Sequence, residues 1–323
     1  MAKKLQFPNL VTRKIYKTCQ TRGADDDVIY QNRVKRNSTV LIPLDVWDRW
    51  EYIRKEPFES GYIVIISPAE AAEISNRSDL EIGRNTLVFY QTRAEWKQYP
   101  PEQYGWVPAT SRPTQESQNL GGHFVARVPG TTASGEAEKA IRLGYSTKEL
   151  KGAGIRFYEY ANEETIEHTK EQLQYLFYCC YDVEDFLQAC GNDKSSLKSE
   201  IAKFKQYIKA KGLGDDELLK KNRILDSDGH LVCPFCLEKI SATNFAKIMG
   251  QAEGRNVPDM TVTEVNLFHI EELKAERFNH RPYNLGWGHH HCNVVVKDSG
   301  IEPTLAWISS VLKRNVQLGL WHE

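Results

Sequence analysis

Four residues in the C-terminal third have the types and spacing to hold a metal ion. Cys233 and Cys236 stand in "CPFC" (233–236), where two thiolates of one tight turn can bind a single zinc. His289 and Cys292 repeat that spacing in "GHHHCN" (288–293). Together the two pairs make a Cys3His set in which all four positions are protein ligands, which is the chemistry of a closed, structural zinc site. His290 or His291 can stand in for His289 by residue type; the repeated spacing favours His289. "CPFC" also reads as a redox dithiol. That motif, however, opens a helix early in a thioredoxin-like βαβ domain, and here it lies far along the chain with no βαβ pattern after it. The segment 268–293 also carries five of the chain's nine histidines, so more than zinc ligation is concentrated there.

Composition excludes several classes of partner and place. Lys+Arg number 42 against Asp+Glu 43, so net charge singles out neither nucleic acid nor a membrane surface. No apolar run is long enough to span a bilayer and "MAKKLQFPNLVTRK" lacks the apolar core of a secretory signal, which predicts a cytoplasmic protein without a membrane partner. Seven scattered cysteines, an odd number, argue for metal binding or burial rather than a disulfide framework. Residues 1–22 hold Lys3, Lys4, Arg13, Lys14, Lys17 and Arg22 and no acid: a basic arm able to lie on phosphate, or a solvated terminus.

The elements that must position these residues follow from periodicity. Runs 39–47, 61–67, 86–92 and 123–128 are apolar and β-rich, and "PAEAAEIS" (68–75) and "RAEWKQY" (93–99) read as short helices after strands. The first half is therefore mixed α and β, with a polar loop over 108–122. From 162 to 190 the spacing turns helical, with Leu173, Leu176, Phe177, Cys180, Val183 and Leu187 on one stripe, so the adjacent Cys179 and Cys180 read as core. A second helix covers 195–212, and the acidic segment after it places a domain boundary near residue 225. The expected organisation is α+β: a mixed α/β domain over 1–225, then a smaller domain over 226–323. "STKELKGAGIRFYEY" (146–160) carries Glu149 and Lys151 at the letters of an ExK nuclease core, but reads better as a charged turn before a strand.

Taken in order, "CPFC" (233–236), "FHIEEL" (268–273), "NLGWGHHHCN" (284–293) and "VVVKD" (294–298) resemble the HNH, or ββα-metal, endonucleases with a zinc staple. The resemblance covers roughly the last hundred residues. It implies that the 226–323 domain is a ββα-metal nuclease and that His269 is the general base at the end of the first strand. A neutral imidazole with an unperturbed pKa near 6.5 suits that task. It makes Asn284 the residue that orients the loop between the strands, and Asn293 a ligand for one divalent cation, Mg²⁺ by its oxygen preference. Arg281 and Lys297 would add positive charge near the phosphate. The family usually has an acid or histidine ligand immediately before the base, and this chain has Phe268. Glu271 is the first substitute, ahead of Glu264, Asn266 and Glu272.

A large companion domain fused to such a nuclease resembles the type II restriction endonucleases that use HNH chemistry, which implies that residues 1–225 serve DNA recognition and dimerisation. These cut double-stranded DNA site-specifically, usually as homodimers matched to a two-fold site, in the cytoplasm of bacterial or archaeal cells. The other readings are a zinc-stabilised DNA-binding regulator whose nuclease site has decayed at Phe268, and a homing or mobile-element HNH nuclease.

Overall fold

In a computed structural model the chain is described over residues 5–16, 39–59, 61–74, 77–109, 122–126, 155–247, 263–271, 277–296 and 299–322. Backbone proximity divides it into two units. One comprises Met1–Thr18, Glu164–Lys274 and Asn279–Glu323, and the other Cys19–Glu163 and Ala275–Phe278. Helix α1 (Asn9–Tyr16) opens the first unit.

The near-continuous apolar runs of the first half become strands of a parallel sheet in the second unit. β1 (Val40–Pro43), β2 (Tyr62–Ile66), β3 (Thr86–Tyr90), β4 (Phe124–Ala126) and β5 (Ile155–Arg156) pair in the order β4-β3-β2-β1-β5. Every pairing is parallel. Period-two alternation sends Val40, Ile42, Val64, Ile66, Val88, Tyr90 and Phe124 to one core. Leu41, Ile63, Ile65, Leu87, Phe89 and Val125 go to another. A sheet buried on both faces leaves no polar alternation to read, which is why these strands look uniformly apolar. The first strand ends sooner than the run 39–47 suggests. Pro43 has no N–H to carry the ladder on, and "LDVWDR" turns into helix α2 (Leu44–Arg49), followed by α3 (Glu51–Lys55). α4 (Pro68–Glu73) and α5 (Arg93–Gln98) start at full capping boxes, Ser67 with Glu70 and Thr92 with Glu95.

The first unit continues with α6 (Glu163–Phe177), α7 (Val183–Ala189), α8 (Lys194–Ala210) and α9 (Asp216–Lys221). It then forms an antiparallel hairpin of β6 (Val265–His269) and β7 (Leu285–His289), and ends in α10 (His290–Val296) and α11 (Ile301–Gln317). The helical stretch 162–190 is two helices rather than one. Its apolar stripe is buried as expected, but the chain turns between Phe177 and Val183, where Leu231 N–H donates to Cys179 O at 2.8 Å and Ala242 N–H to Asp182 Oδ1 at 2.7 Å. Cys179 and Cys180 are core residues.

These helices belong with the hairpin. Trp287 of β7 donates its indole N–H to Leu173 O at 2.9 Å. Phe245 lies edge-on to both Phe177 and Trp287, each pair of rings 5.0 Å apart. A boundary near residue 225 would cut this shared core, and the compact units divide instead between Glu163 and Glu164. A two-stranded hairpin is marginal alone and needs a packed face, which α6 supplies. Among the described residues, no helix is long and apolar enough to cross a membrane.

Candidate active site and metal centre

β6, β7 and α10 follow one another as strand, strand and helix, and the site residues sit at their joints. His269 is the last residue of β6, half-buried and opposite Leu285. The loop it enters is held by Asn284, which is buried just before β7. Asn284 Oδ1 accepts from Glu271 N–H at 2.7 Å, and its Nδ2 donates to Asn279 O at 2.8 Å. The Asn284 carbonyl accepts from Ile270 N–H at 2.9 Å. One side chain therefore clips both ends of the loop after His269, a job that needs a donor and an acceptor on one short, rigid group.

His280, 1 % exposed, comes back beneath His269: its Nδ1 lies 3.5 Å from His269 Nε2. The two imidazoles are thus neighbours at the end of β6, with ring centroids 5.7 Å apart. Phe268 faces the other way. Strand alternation sends its ring, 0 % exposed, into the unit's core. A Cβ at Gly288 would come within 2.5 Å of Phe268 Cδ2, so that glycine makes room for the ring. The residue that departs from the HNH pattern is thus a packing residue here.

Cys233, Cys236, His289 and Cys292 converge, with ligand atoms all within 4.8 Å of one another and Cys236 Sγ 3.3 Å from His289 Nδ1. The turn after Val232 brings the first pair, and the β7–α10 junction brings the second. Burial pushes the Cys233 thiol up, but hydrogen bonds from His289 and from the Cys236, His289 and Phe235 backbone outweigh it and hold it at about 6. The bond to Cys233 raises the His289 imidazole, and burial raises the thiols of Cys236 and Cys292. Three sulfurs and an imidazole nitrogen crowded together favour one soft, positively charged occupant, and the set fits zinc in type, number and closeness. His289 is the histidine of the cluster. His291 is exposed and stacks on it, with ring centroids 5.6 Å apart. His290 Nδ1 meets Asn266 Nδ2 at 2.9 Å.

The remaining expected site residues are more dispersed. Glu271 is exposed beyond β6, Asn293 is half-buried in α10 and Arg281 is exposed. Lys297 and Glu272 lie outside the described residues, as do Glu149, Lys151 and most of the 108–122 loop. Glu264 pairs with Lys247, and Asn266 is engaged by His290. Among the described residues, groups of three or more His, Cys, Asp or Glu donors occur at the Cys3His cluster and at Asp226, Asp228 and His230. Neither contains His269 or Glu271. The second group is a turn that satisfies itself, since Asp226 Oδ1 accepts from the backbone of Asp228 and His230.

One basic residue of the N-terminal arm does something its sequence does not advertise. Lys14 is buried, and its ammonium donates to Val265 O and Asn266 Oδ1, so α1 is fastened to the first residues of β6. A lysine in a basic stretch reads as a phosphate contact; only the spacing of Val11 and Ile15 around it, both core residues, hints at an inward face.

Residues 13–290, well over half of the chain, match the model of a protein family described as BstXI restriction endonuclease. The chain belongs to that restriction endonuclease family. No curated protein matches it. A solved structure titled "Crystal structure of a type II restriction endonuclease" is similar at 13% identity and a TM-score of 0.27, over 50% of this chain and 55% of that one. The chain thus spans little more than half the length of that protein, and at this TM-score the likeness decides nothing about the fold. The family match reaches through the hairpin to His290, so it takes in His269, Asn284 and three of the four clustered metal donors.

Proposed function

We propose that this member of the BstXI restriction endonuclease family is a type II site-specific deoxyribonuclease that cuts duplex DNA with HNH, ββα-metal chemistry at the β6–β7–α10 joint. The observation that carries this reading is the pairing of His269 at a strand end with Asn284 clamping the loop after it, inside a region the family match covers. His269 accepts a proton from water, and the resulting hydroxide attacks phosphorus in line. The P–O3′ bond breaks, leaving a 5′-phosphate and a 3′-oxygen that takes a proton from solvent water to become the 3′-hydroxyl. His280 holds the ring from Nε2 while Asn284 fixes the backbone that follows it. Arg281 and Lys297 contribute positive charge toward the substrate phosphate. Zinc held by Cys233, Cys236, His289 and Cys292 ties the turn at 233–236 to the β7–α10 junction and does no chemistry on DNA.

A divalent cation, Mg²⁺, would stabilise charge on the phosphate and the leaving oxygen, with Asn293 and Glu271 as its protein ligands. Two protein donors suffice for Mg²⁺, which keeps several waters and takes phosphate oxygens. The parallel-sheet unit serves recognition of the DNA sequence. Double-strand cleavage needs two such sites, one per strand, and hence two copies of the chain.

Incubation of the purified protein with plasmid, with and without Mg²⁺, tests the reading. Discrete, Mg²⁺-dependent fragments are expected. A smear would instead indicate a nonspecific nuclease. Intact DNA that shifts in a gel would indicate the DNA-binding regulator, and the buried Phe268 in place of a metal ligand is the observation that favours it.

A further inference from the structure

α11 carries an apolar stripe that faces outward. Along this 17-residue helix Ile301 and Thr304 are buried, whereas Leu305, Leu312 and Val316 are exposed at 39, 43 and 45%. Their spacing of seven and four residues puts them on one face, with the exposed Ser309 between them. Leu318, Leu320 and Trp321 continue the exposure to the end of the described chain. Trp307, 59% exposed, lies off this stripe, whose aligned apolar side chains have the pattern of an interaction site.

The pattern of that face is complementary to itself. Glu302 lies in the first turn, with Lys313 and Arg314 toward the last. An antiparallel second copy crossing between Ile308 and Ser309 places Leu305 of each helix against Leu312 of the other, with the two Ser309 hydroxyls near the closest approach. The same register brings Glu302 of each helix within one turn of Lys313 of the other, on the same flank of the stripe. The opposed helix dipoles add to that pairing.

We propose that α11 is the dimerisation helix, and that its occupant is the α11 of a second copy, antiparallel and related by a two-fold axis between Ile308 and Ser309. The need for a second copy rests in part on the duplex-cleavage reading, since each chain has one candidate site. α11 follows α10, which ends the candidate site, after a short connection. The two-fold therefore ties the sites of the two chains through few intervening residues.

Sedimentation equilibrium of the full-length protein tests this. Wild type is expected to be dimeric, and Leu305→Glu and Leu312→Glu to raise the dissociation constant by roughly 30-fold or more with unchanged helix content, as at an interface hot spot. Glu302→Lys should weaken the dimer, and adding Lys313→Glu to the same chain should restore it, because exchanging both charges recreates the pair. A monomeric wild type, or a dimer indifferent to Leu305→Glu and Leu312→Glu, overturns the proposal. So does a double charge variant no tighter than Glu302→Lys. A monomer that still cuts plasmid would refute the interface while sparing the duplex-cleavage reading; a dimer disrupted as expected whose wild type never cuts DNA would do the reverse.

Discussion

The parallel sheet and the β6–β7 hairpin cover their strands by opposite means. Each central strand of the sheet has a neighbour on both sides and apolar cores on both faces, so hydrogen bonding and burial come from the sheet's own helices and loops. The hairpin has two strands and borrows the rest. α6 covers Trp287, Lys14 of α1 caps carbonyl and amide oxygens at the start of β6, and the Cys3His cluster holds the end of β7. The difference teaches where chemistry can be placed. A small hairpin leaves His269 half-buried at a strand end, and it is kept rigid by contacts that reach it from remote parts of the chain.

The sharpest way to break this comparison is to remove the metal. Chelation, or Cys233→Ser, should abolish amide protection in β6, β7 and α10 while β1, β2 and β3 stay protected, because binding free energy at a structural zinc site, about 10 kcal/mol or more, is folding free energy. Hydrogen exchange on protein verified as zinc-free decides it; a hairpin that remains protected would show that the staple is not needed.

Core truncation should cost the two units similar amounts by different routes. Trp287→Ala should destabilise the hairpin unit by about 3–5 kcal/mol, since it removes a fully buried ring and the indole bond to Leu173. Ile42→Ala should cost the sheet unit about 2–5 kcal/mol and leave zinc content unchanged. Denaturant melts with metal analysis on each variant would check both, and loss of zinc from Ile42→Ala would mean that the units are not separately stabilised.

Smaller effects refine the account of the loop. Asn284→Ala removes the bonds to the Glu271 N–H and the Asn279 carbonyl, a loss of about 1–3 kcal/mol that should appear as slower cleavage more than as lost DNA affinity. His290→Ala removes one bond to Asn266, worth about 1 kcal/mol, and His291→Ala removes an exposed ring. Neither should alter zinc stoichiometry, which metal analysis reads directly; a zinc-free His290→Ala would assign that ligand position to it instead of His289.

Local spacing was enough to read the four clustered metal donors, the strand and helix signals of the first half and the inward stripe of 173–187. Each of these depends on neighbours within a few residues. What stayed hidden depends on partners far away in sequence. Nothing near Leu173 says that it accepts from Trp287, so the helices after Glu163 look like part of the first domain rather than the cover of the hairpin. Lys14 looks like a surface charge until β6 is brought to it, 251 residues later. Phe268 looks like a lost ligand until Gly288 and strand alternation show that its ring faces the core. His280 has no motif of its own, and its nearness to His269 comes from a loop closed by Asn284.

The most direct test of the central claim, that His269 is the base, is the single-turnover rate of plasmid cleavage by His269→Ala, measured beside its affinity for the same DNA. The account predicts a rate lower by roughly two to four orders of magnitude, with binding preserved, because affinity comes mainly from phosphate and base contacts elsewhere. A variant that binds and cuts as fast as wild type would contradict it, and the search for the base would begin at His280.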